Sequence, residues 1–360
     1  MSRQKVCFCI SSVGGALVPA ALTMLRQSSR FDYRLIGINA SPTLLAAGFL
    51  DAFYMVPRGD DPAYGEALLE VVRKERPDVM LPWSDDEAEV MSKLKGELAV
   101  LGCRVLVSSP DCLARVANKR ITYDYLRAAG VAVPEYTSVT DVVGLREAIS
   151  AYQHPSRTVV VKPARGRGGR GLRILLGEDG PPDWLGSGQR EVRLSKSDLG
   201  ESRLRTFFEF GTELLVMPCL GAPAFDADVV TLGRDPVVIV RSRHNPTGIP
   251  FLGNTIVANN ELLDYCRSVA QVLQLGAVHD IDLMTGPDGR PVVLEVNPRP
   301  SGSLPASMAG GFPVLDWAVD RALGGDPVIH YPEHDIEVLP MVMPKALEVT
   351  SKLKGMGVKS

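Results

Sequence analysis

The stretch Leu294-Glu295-Val296-Asn297-Pro298-Arg299 places polar side chains at every second position of an apolar run. Side chains two residues apart on a β-strand point to the same face, so Glu295, Asn297 and Arg299 are predicted to project together. A carboxylate beside an amide oxygen suits a hard cation such as magnesium, and a guanidinium offers phosphate two parallel donors. The pattern therefore predicts a site for a divalent cation and a phosphate group.

A second strand precedes this one, and the turn Gly286-Pro287-Asp288-Gly289 joins the two into a predicted hairpin. Asp282 alternates with apolar neighbours on that strand, and the hairpin brings it opposite Glu295. Two carboxylates side by side repel each other unless a cation neutralises them. We therefore predict Asp282, Glu295 and Asn297 as metal ligands. The alternative is a surface hairpin with scattered polar residues. That alternative does not explain well why the polar residues alternate with apolar ones along both strands.

A basic, glycine-rich segment, Arg165-Gly166-Arg167-Gly168-Gly169-Arg170-Gly171, follows the apolar strand that ends near Lys162. Glycines let backbone N–H groups approach phosphate oxygens, and adjacent N–H groups form an anion-binding nest. Lys162 is predicted to be a partly buried cation that needs a counter-charge, which phosphates supply. The segment is expected to connect two strands, and the alternative is an exposed basic hairpin that binds any anion. A further segment, residues 177–200, is expected to be an exposed insertion.

The first hundred residues alternate strand and helix patterns, which predicts a parallel sheet. The Gly14-Gly15 turn lacks the complete G-x-G-x-x-G fingerprint, which favours a packing turn over a dinucleotide site. Ser84-Asp85-Asp86-Glu87 follows the third predicted strand, where open α/β sheets bind ligands. The same residues also suit a helix cap with acids in the first turn. Further on, Asn118-Lys119-Arg120 begins a helix, and its local sequence alone favours a solvated lysine.

Composition excludes several classes of protein. With 45% hydrophobic and 22% charged residues and a net charge of -3, nothing indicates a nucleic-acid or membrane partner. The six cysteines include no C-x-x-C pair and mostly lie in apolar runs, which indicates reduced thiols. The N-terminus lacks the apolar core of a signal peptide. We therefore expect a cytoplasmic protein.

The segments around Lys119, Lys162 and Glu295, in this order, resemble the ATP-grasp superfamily, especially the branch with carbamoyl-phosphate synthase and biotin carboxylase-like carboxylate–amine ligases. The resemblance implies an α/β fold with a Rossmann-like domain followed by two α+β subdomains that clasp ATP. The implied domains are a Rossmann-like domain at 1–112, a first ATP-grasp part at 113–220 with a glycine-rich lid at about 155–220, a metal-binding subdomain at 221–326, and an extension at 327–360.

The resemblance also implies roles for single residues, with ATP and two Mg²⁺ ions (for which Mn²⁺ can substitute) as cofactors. The implied ATP-binding residues are Lys119, Lys162, Gly168, Gly169 and Gly171, with Met217, Cys219 and Leu220 at the adenine hinge. The implied metal ligands are Asp282, Glu295 and Asn297, and the implied catalytic residues are Arg299 and Lys162. Pro218 departs from the family pattern at the hinge, since proline cannot donate a backbone hydrogen bond.

The implied activity is the ATP- and Mg²⁺-dependent activation of a carboxylate, such as an amino acid, as an acyl phosphate, followed by amide bond formation with an amine. Candidate substrate-binding residues are Arg241, Arg243, His244, Ser301, Gly302 and Asp85. For Arg241, Arg243 and His244, a solvated basic turn without a role in substrate binding is an equally good interpretation. The alternatives for activity are a carbamoyl-phosphate synthase-like enzyme, an ATP-grasp kinase, and a non-catalytic nucleotide-binding protein. The expected partners are small-molecule substrates and a second copy of the chain in a homodimer.

Overall fold

The computed structural model describes residues 3–42, 46, 48–166, 168–178, 180, 192–194, 199–245 and 252–341. The fold is α/β, as predicted, and the described residues form two five-stranded sheets and one six-stranded sheet. None of the helices in these ranges is long and apolar enough to cross a lipid bilayer.

The first sheet is parallel, as the alternating pattern predicted, with strand order β3-β2-β1-β4-β5. Its strands are β1 (Gln4–Ile10), β2 (Phe31–Asn39), β3 (Ala52–Met55), β4 (Val79–Leu81) and β5 (Arg104–Val105). Its helices are α1 (Val18–Arg26), α2 (Tyr64–Glu75), α3 (Asp85–Lys93) and α4 (Lys95–Val100). The strand order reverses between β1 and β4, which creates a crevice at their carboxyl ends. The alternating pattern predicts four strands, at 5–10, 33–39, 79–82 and 103–108, and one helix at 87–98. The structure adds β3 and divides the predicted helix between α3 and α4.

The second sheet has the order β6-β10-β7-β8-β9. Its strands are β6 (Thr137–Val139), β7 (Val159–Pro163), β8 (Arg173–Leu175), β9 (Val192–Leu194) and β10 (Leu214–Pro218). The helices around it are α5 (Pro110–Val116), α6 (Lys119–Ala128), α7 (Val142–Ala151) and α8 (Glu201–Arg205), with a 3-10 helix at Thr206–Phe210. The predicted pairing across the glycine-rich segment is confirmed, because β7 and β8 are antiparallel neighbours. Most of the predicted insertion at 177–200 lies outside the described residues.

The third sheet is antiparallel, with the order β15-β14-β11-β12-β13-β16. Its strands are β11 (Gly221–Val230), β12 (Val237–Arg243), β13 (Asn254–Ile256), β14 (Val278–Thr285), β15 (Pro291–Asn297) and β16 (Ile336–Val338). Helices α9 (Asn260–Val272), α10 (Leu304–Ala309) and α11 (Val314–Ala322) accompany them. The segment expected as a C-terminal extension thus contributes an edge strand to this sheet.

One hydrophobic core joins the first sheet to the C-terminal helices. Phe8 and Leu22 from the N-terminal unit belong to the same buried cluster as Trp317 from α11. Beside them, Asp316 of α11 accepts hydrogen bonds from Ser28 Oγ at 2.7 Å and from the hydroxyl of Tyr33 at 2.8 Å. Because burial of apolar surface is the main favourable term in folding, this shared cluster fixes the first and third sheets against each other.

Candidate active site

The hairpin of β14 and β15 aligns the acids and the amide that the sequence singled out. Asp282 pairs with Glu295 across the two strands, as predicted, and Asp280 pairs with Asn297. The amide nitrogen of Asn297 donates to Asp280 Oδ2 at 3.1 Å and to Asp282 Oδ2 at 3.2 Å. The acid–amide cluster therefore has Asp280 as an additional member.

A fourth acid, Asp226, joins the cluster from β11, where it pairs with Asp282. Carboxylate oxygens of Asp226, Asp280 and Asp282 lie within 4.8 Å of one another. Asp280 Oδ1 is buried and has no hydrogen-bond partner among the residues that the structure describes. Closely spaced carboxylate oxygens fit a hard divalent cation such as Mg²⁺. The sequence analysis missed Asp226 and Asp280, although each belongs to an Asp-x-Asp pair that alternates along a strand.

Burial governs the protonation of these acids. Burial, followed by the charge of Asp226, raises the pKa of Asp280 to about 7. Burial and the charge of Asp280 raise the pKa of Asp282 well above its ordinary value, against the opposing effect of Arg243. Burial would also raise the pKa of Asp226, but its guanidinium neighbours, first Arg243, bring that pKa below its ordinary value. A bound divalent cation would favour the charged form of all three acids.

The two arginines expected to bind substrate contact this cluster. Arg241 has 0% exposed surface, and its guanidinium meets Asp228 through contacts of 3.2 Å (Nε–Oδ2) and 3.0 Å (Nη2–Oδ1). Because Arg241 is an internal ion-pair partner, a small molecule cannot reach it in this fold, which corrects the expectation for this residue. Arg243 contacts Asp226 and Asp282, and its side chain stays 26% exposed at the edge of the site.

Lys119 connects three distant segments of the chain. It is the first residue of α6, which the Asn118 side chain caps. Its Nζ lies 2.7 Å from the carbonyl oxygen of Gly166, in the glycine-rich segment, and 3.1 Å from Glu295 Oε2. Burial would raise the pKa of Glu295, but the charge and hydrogen bond of Lys119, together with the charge of Lys162 and a hydrogen bond to Asp282, lower it overall. Glu295 is therefore a charged carboxylate beside a cation at neutral pH, and Lys119 is not the solvated lysine that its local sequence favoured.

Lys162 is buried at the end of β7, on the other side of Glu295. Its Nζ lies 3.0 Å from the hydroxyl of Tyr123, which in turn donates to the carbonyl oxygen of Leu294 at 2.5 Å. Leu294 is skipped in the β14–β15 ladder, and such a bulge re-aims backbone groups. Burial, together with the neighbouring charge of Lys119, lowers the pKa of Lys162 to about 7. A phosphate group beside Lys162 would restore its charge.

Arg299 links the third sheet to the N-terminal unit. Its Nε lies 3.2 Å from Asp85 Oδ1, and its Nη1 lies 3.4 Å from Asp280 Oδ2. Asp85 opens helix α3, and Ser84 caps that helix by accepting from the backbone N–H of Glu87 at 3.4 Å. The helix-cap interpretation of this segment is therefore confirmed, and ligand binding by the segment stays a prediction.

Two adjoining cavities surround these residues. One, of about 650 Å³, is lined by Lys119, Glu295 and Asn297, and another, of about 630 Å³, is lined by Arg299 and the glycine-rich segment. Asp85 lies on the wall of both.

The glycines in the second cavity have conformations that other residues adopt with strain. Gly168, Gly169 and Gly171 have φ values of 61°, 70° and 77°. A Cβ on Gly171 would lie only 2.7 Å from Pro163 and Phe210, so this position also needs glycine for space. Arg167, from the same segment, lies outside the described residues.

The expected adenine hinge lies at the end of β10. Met217 and Leu220 are buried in an apolar cluster with Met284. The backbone N–H of Cys219 donates to the carbonyl oxygen of Thr158 at 3.2 Å. The described hinge thus consists of apolar side chains. The N–H of Cys219 already donates a hydrogen bond within the protein and is not available to an adenine ring in this structure.

The remaining candidates for substrate binding lie in different places. His244 Nε2 lies 3.1 Å from Thr255 Oγ1 and 2.9 Å from Glu337 Oε2, towards the β16 edge of the third sheet. Ser301 is buried, and its carbonyl oxygen accepts from Trp83 Nε1 at 3.2 Å. Gly302 lines a cavity shared with the N-terminal unit. The structure therefore brings Ser301 and Gly302, but not His244, next to the first sheet.

The site and its sheets agree with known families. Residues 210–343 match the family described as "ATP-grasp in the biosynthetic pathway with Ter operon". Residues 11–106 match the PylC-like N-terminal domain. The C-terminal part of the chain is therefore similar to an ATP-grasp domain. This part follows a segment that is similar to the PylC-like N-terminal domain.

Similar proteins extend this comparison along most of the chain. The carbamoyl phosphate synthase large chain of Buchnera aphidicola is 25% identical over 313 residues, which cover 81% of this chain but only 27% of that protein. N5-carboxyaminoimidazole synthetase from Staphylococcus aureus, solved with ADP, superposes with a TM-score of 0.65 at 14% identity, covering 92% of this chain and 80% of that one. An L-amino acid ligase from Bacillus licheniformis superposes with a TM-score of 0.62 at 13% identity, covering 90% of this chain and 75% of that one.

Proposed function

We propose that this chain is an ATP- and Mg²⁺-dependent ligase that activates a carboxylate as an acyl phosphate and couples it to an amine, releasing ADP and phosphate. The observation that carries the proposal is the position of Lys119, which touches both the glycine-rich segment through Gly166 and the acidic hairpin through Glu295. A cation between a backbone nest and a carboxylate suits the triphosphate of a nucleotide bound with a metal ion.

The roles follow from the contacts. Lys119 and Lys162 hold the phosphates of ATP, while Gly168, Gly169 and Gly171 supply backbone amides from a lid. Asp282, Glu295 and Asn297 hold Mg²⁺, with Asp280 and Asp226 beside them. When bound, the ion neutralises phosphate charge and orients the transferred group. Met217 and Leu220 form the apolar bed for the adenine ring.

Arg299 is the group that meets the transferred phosphoryl. Its planar guanidinium matches phosphate oxygens with two donors, and Asp85 and Asp280 fix its orientation. The substrate carboxylate attacks the γ-phosphorus, ADP leaves, and an amine then displaces phosphate from the acyl phosphate. Because phosphoryl transfer depends on positioning and charge neutralisation, this chain needs no protein nucleophile. A closed lid would keep water away from the acyl phosphate.

The proposed division of the chain follows the sheets. Residues 1–112 form the N-terminal unit, 113–220 the lid-bearing part, and 221–326 the metal-binding part. The segment 327–360 is an extension whose β16 strand completes the third sheet. The small-molecule substrates, a homodimeric state and a cytoplasmic location also belong to the proposal.

The test is a screen of amino acids, singly and in pairs, that reads ADP release and product mass. ADP and phosphate that appear only when a carboxylate and an amine are both present support the ligase. A stable phosphorylated product would instead identify a kinase. Turnover with bicarbonate and ammonia would identify a carbamoyl-phosphate synthase-like activity. ATP binding without turnover across the whole screen would contradict an enzymatic role.

A further inference from the structure

A third cavity, of about 480 Å³, opens at the first sheet. Its walls include Leu17, Asn39, Trp83 and Gly302, so the N-terminal unit and the loop after β15 both contribute. It lies beyond the carboxyl ends of β1 and β2, next to the crevice where the strand order reverses. Ligands of open α/β sheets bind in such places. A volume of this size accommodates an organic molecule rather than a single small ion.

This cavity adjoins the cavity at the proposed site of phosphoryl transfer. Trp83 lines both the third cavity and the cavity that contains Arg299. The indole of Trp83 is held in place, because its Nε1 donates to the carbonyl oxygen of Ser301 at 3.2 Å. A molecule whose carboxylate lies at Arg299 can therefore extend past Trp83 into the third cavity.

The walls of the third cavity carry no charged side chain among the described residues that line it. The polar groups are the Ser12 and Ser41 hydroxyls and the Asn39 amide, and the others are backbone or apolar surface such as Leu17. The sequence segments 12–25 and 39–50, which supply most of these residues, contain no Asp, Glu, Lys, Arg or His. A charge carried into this cavity would lose its hydration without gaining a charged partner among the described residues that line it, which is costly.

We propose that this cavity holds the distal, uncharged part of the carboxylic acid that the enzyme activates. The inference rests on the proposed function and names its substrate class as small carboxylic acids with a neutral distal group, such as neutral amino acids. Ser12 Oγ donates to Glu87 Oε2 at 2.8 Å and Asn39 Nδ2 donates to Ser41 O at 2.8 Å, so the remaining hydrogen-bonding capacity of these groups meets the polar atoms of the substrate. The Trp83 indole covers its apolar part. Bicarbonate, which has no distal part, would leave the cavity unused.

The test combines a substrate panel with a variant that fills the cavity. A Cβ on Gly302 would meet nothing within 4 Å, so the first side-chain atom of Gly302→Leu is accommodated and the rest of the leucine is expected to occupy the cavity that Gly302 lines. Gly96→Leu is the matched control, because Gly96 also has free space but lies on helix α4 away from the cavity. The panel consists of the protein amino acids, offered singly and in pairs, with ADP release as the readout.

Neutral amino acids should be activated, and those with charged side chains should react at least about tenfold more slowly. Gly302→Leu should raise the KM of the accepted acid about tenfold and leave the KM of ATP unchanged. Gly96→Leu should change neither KM. Turnover that Gly302→Leu does not affect, or an equal preference for charged acids, would overturn this inference alone. The absence of ADP release from any acid would overturn the proposed function, and the inference with it.

Discussion

Lys119 Nζ lies 3.1 Å from Glu295 Oε2, and this contact ties the start of helix α6 to strand β15, which carries the proposed metal ligands Glu295 and Asn297. Each side chain is mostly buried, with 11% and 24% of its surface exposed. The pair therefore has the partial desolvation in which electrostatic contacts are strong, and its geometry leaves both groups next to the cavity of about 650 Å³.

Glu295→Gln should lower kcat by about 100-fold or more, because the amide keeps the shape but removes charge that both Lys119 and a metal ion need. ADP release under saturating substrates measures the effect, and the thermal midpoint shows that the fold survives. Glu66→Gln, which alters an exposed ion pair with Arg73, is the matched control and should behave as wild type. Wild-type kcat in Glu295→Gln would remove this residue from the site.

Binding of ATP should add a proton to Lys162. Burial first, then Lys119, lowers the pKa of Lys162 to about 7, so the free enzyme holds it mostly neutral at about pH 8, and nearby phosphates raise that pKa. Calorimetry in buffers of different ionisation enthalpy, at about pH 8 with a chelator present, should show an uptake approaching about one proton. Lys162→Met should abolish this uptake and turnover, while the surface variant Lys5→Met should retain both. Equal uptake by Lys162→Met would contradict the assignment.

Divalent cation binding should weaken in acid because protons compete for Asp280. The pKa of Asp280 is raised to about 7, above its ordinary value, mainly by burial, so its charged form is present above that pH and is lost as the pH falls. The affinity for Mn²⁺, followed by electron paramagnetic resonance, should fall about tenfold between about pH 8 and about pH 6. Asp280→Asn should bind more weakly at every pH, with this dependence reduced. A pH-independent affinity in the wild type would exclude Asp280 from the ion's surroundings.

Arg241→Ala should destabilise the protein rather than change substrate affinity directly. The substitution leaves the buried carboxylate of Asp228 without its bidentate partner, and breaking such a pair costs about 3–5 kcal/mol. Urea unfolding measures the loss. Arg234→Ala, which removes an ion pair between partly exposed Arg234 and exposed Asp326, should cost about 1 kcal/mol or less. Unchanged stability in Arg241→Ala would show that the buried pair is not formed in solution.

Asp85→Asn should lower kcat about tenfold or more with little change in the KM of ATP, because Arg299 loses the charge that orients it. Asp85→Glu should recover part of the loss, since the longer acid still reaches the guanidinium. Asp61→Asn, in an exposed turn, provides the control. A change confined to KM would indicate that Asp85 binds substrate instead.

The sequence predicted the parts of the site that lie close together along the chain. Alternation in Leu294–Arg299 and the glycine turn before it were sufficient to place Asp282 opposite Glu295. The contribution of Asp226 was not accessible, because it depends on which strand pairs with β14, and that pairing joins distant segments.

The degree of burial of side chains on the third sheet also could not be predicted from the sequence. Arg241 and Arg243 share one face of β12, and local sequence gives them the same character. Only the packing of Asp228 and the helices behind the sheet makes Arg241 fully buried while Arg243 stays at the edge. Likewise, β3 was missed because its short sequence, Ala52–Met55, has no clear alternation of apolar and polar residues.

The cluster that joins Phe8 and Leu22 to Trp317 has a practical consequence for cutting or recombining this gene. A fragment that stops near residue 112 would leave the faces covered by α11 open to water, and it would tend to aggregate. Replacing the N-terminal unit with that of a relative would require exchanging α11 as well, because Asp316 of this helix accepts hydrogen bonds from Ser28 and Tyr33 of the N-terminal unit. The N-terminal unit and α11 therefore form one structural unit, although they lie far apart in the sequence.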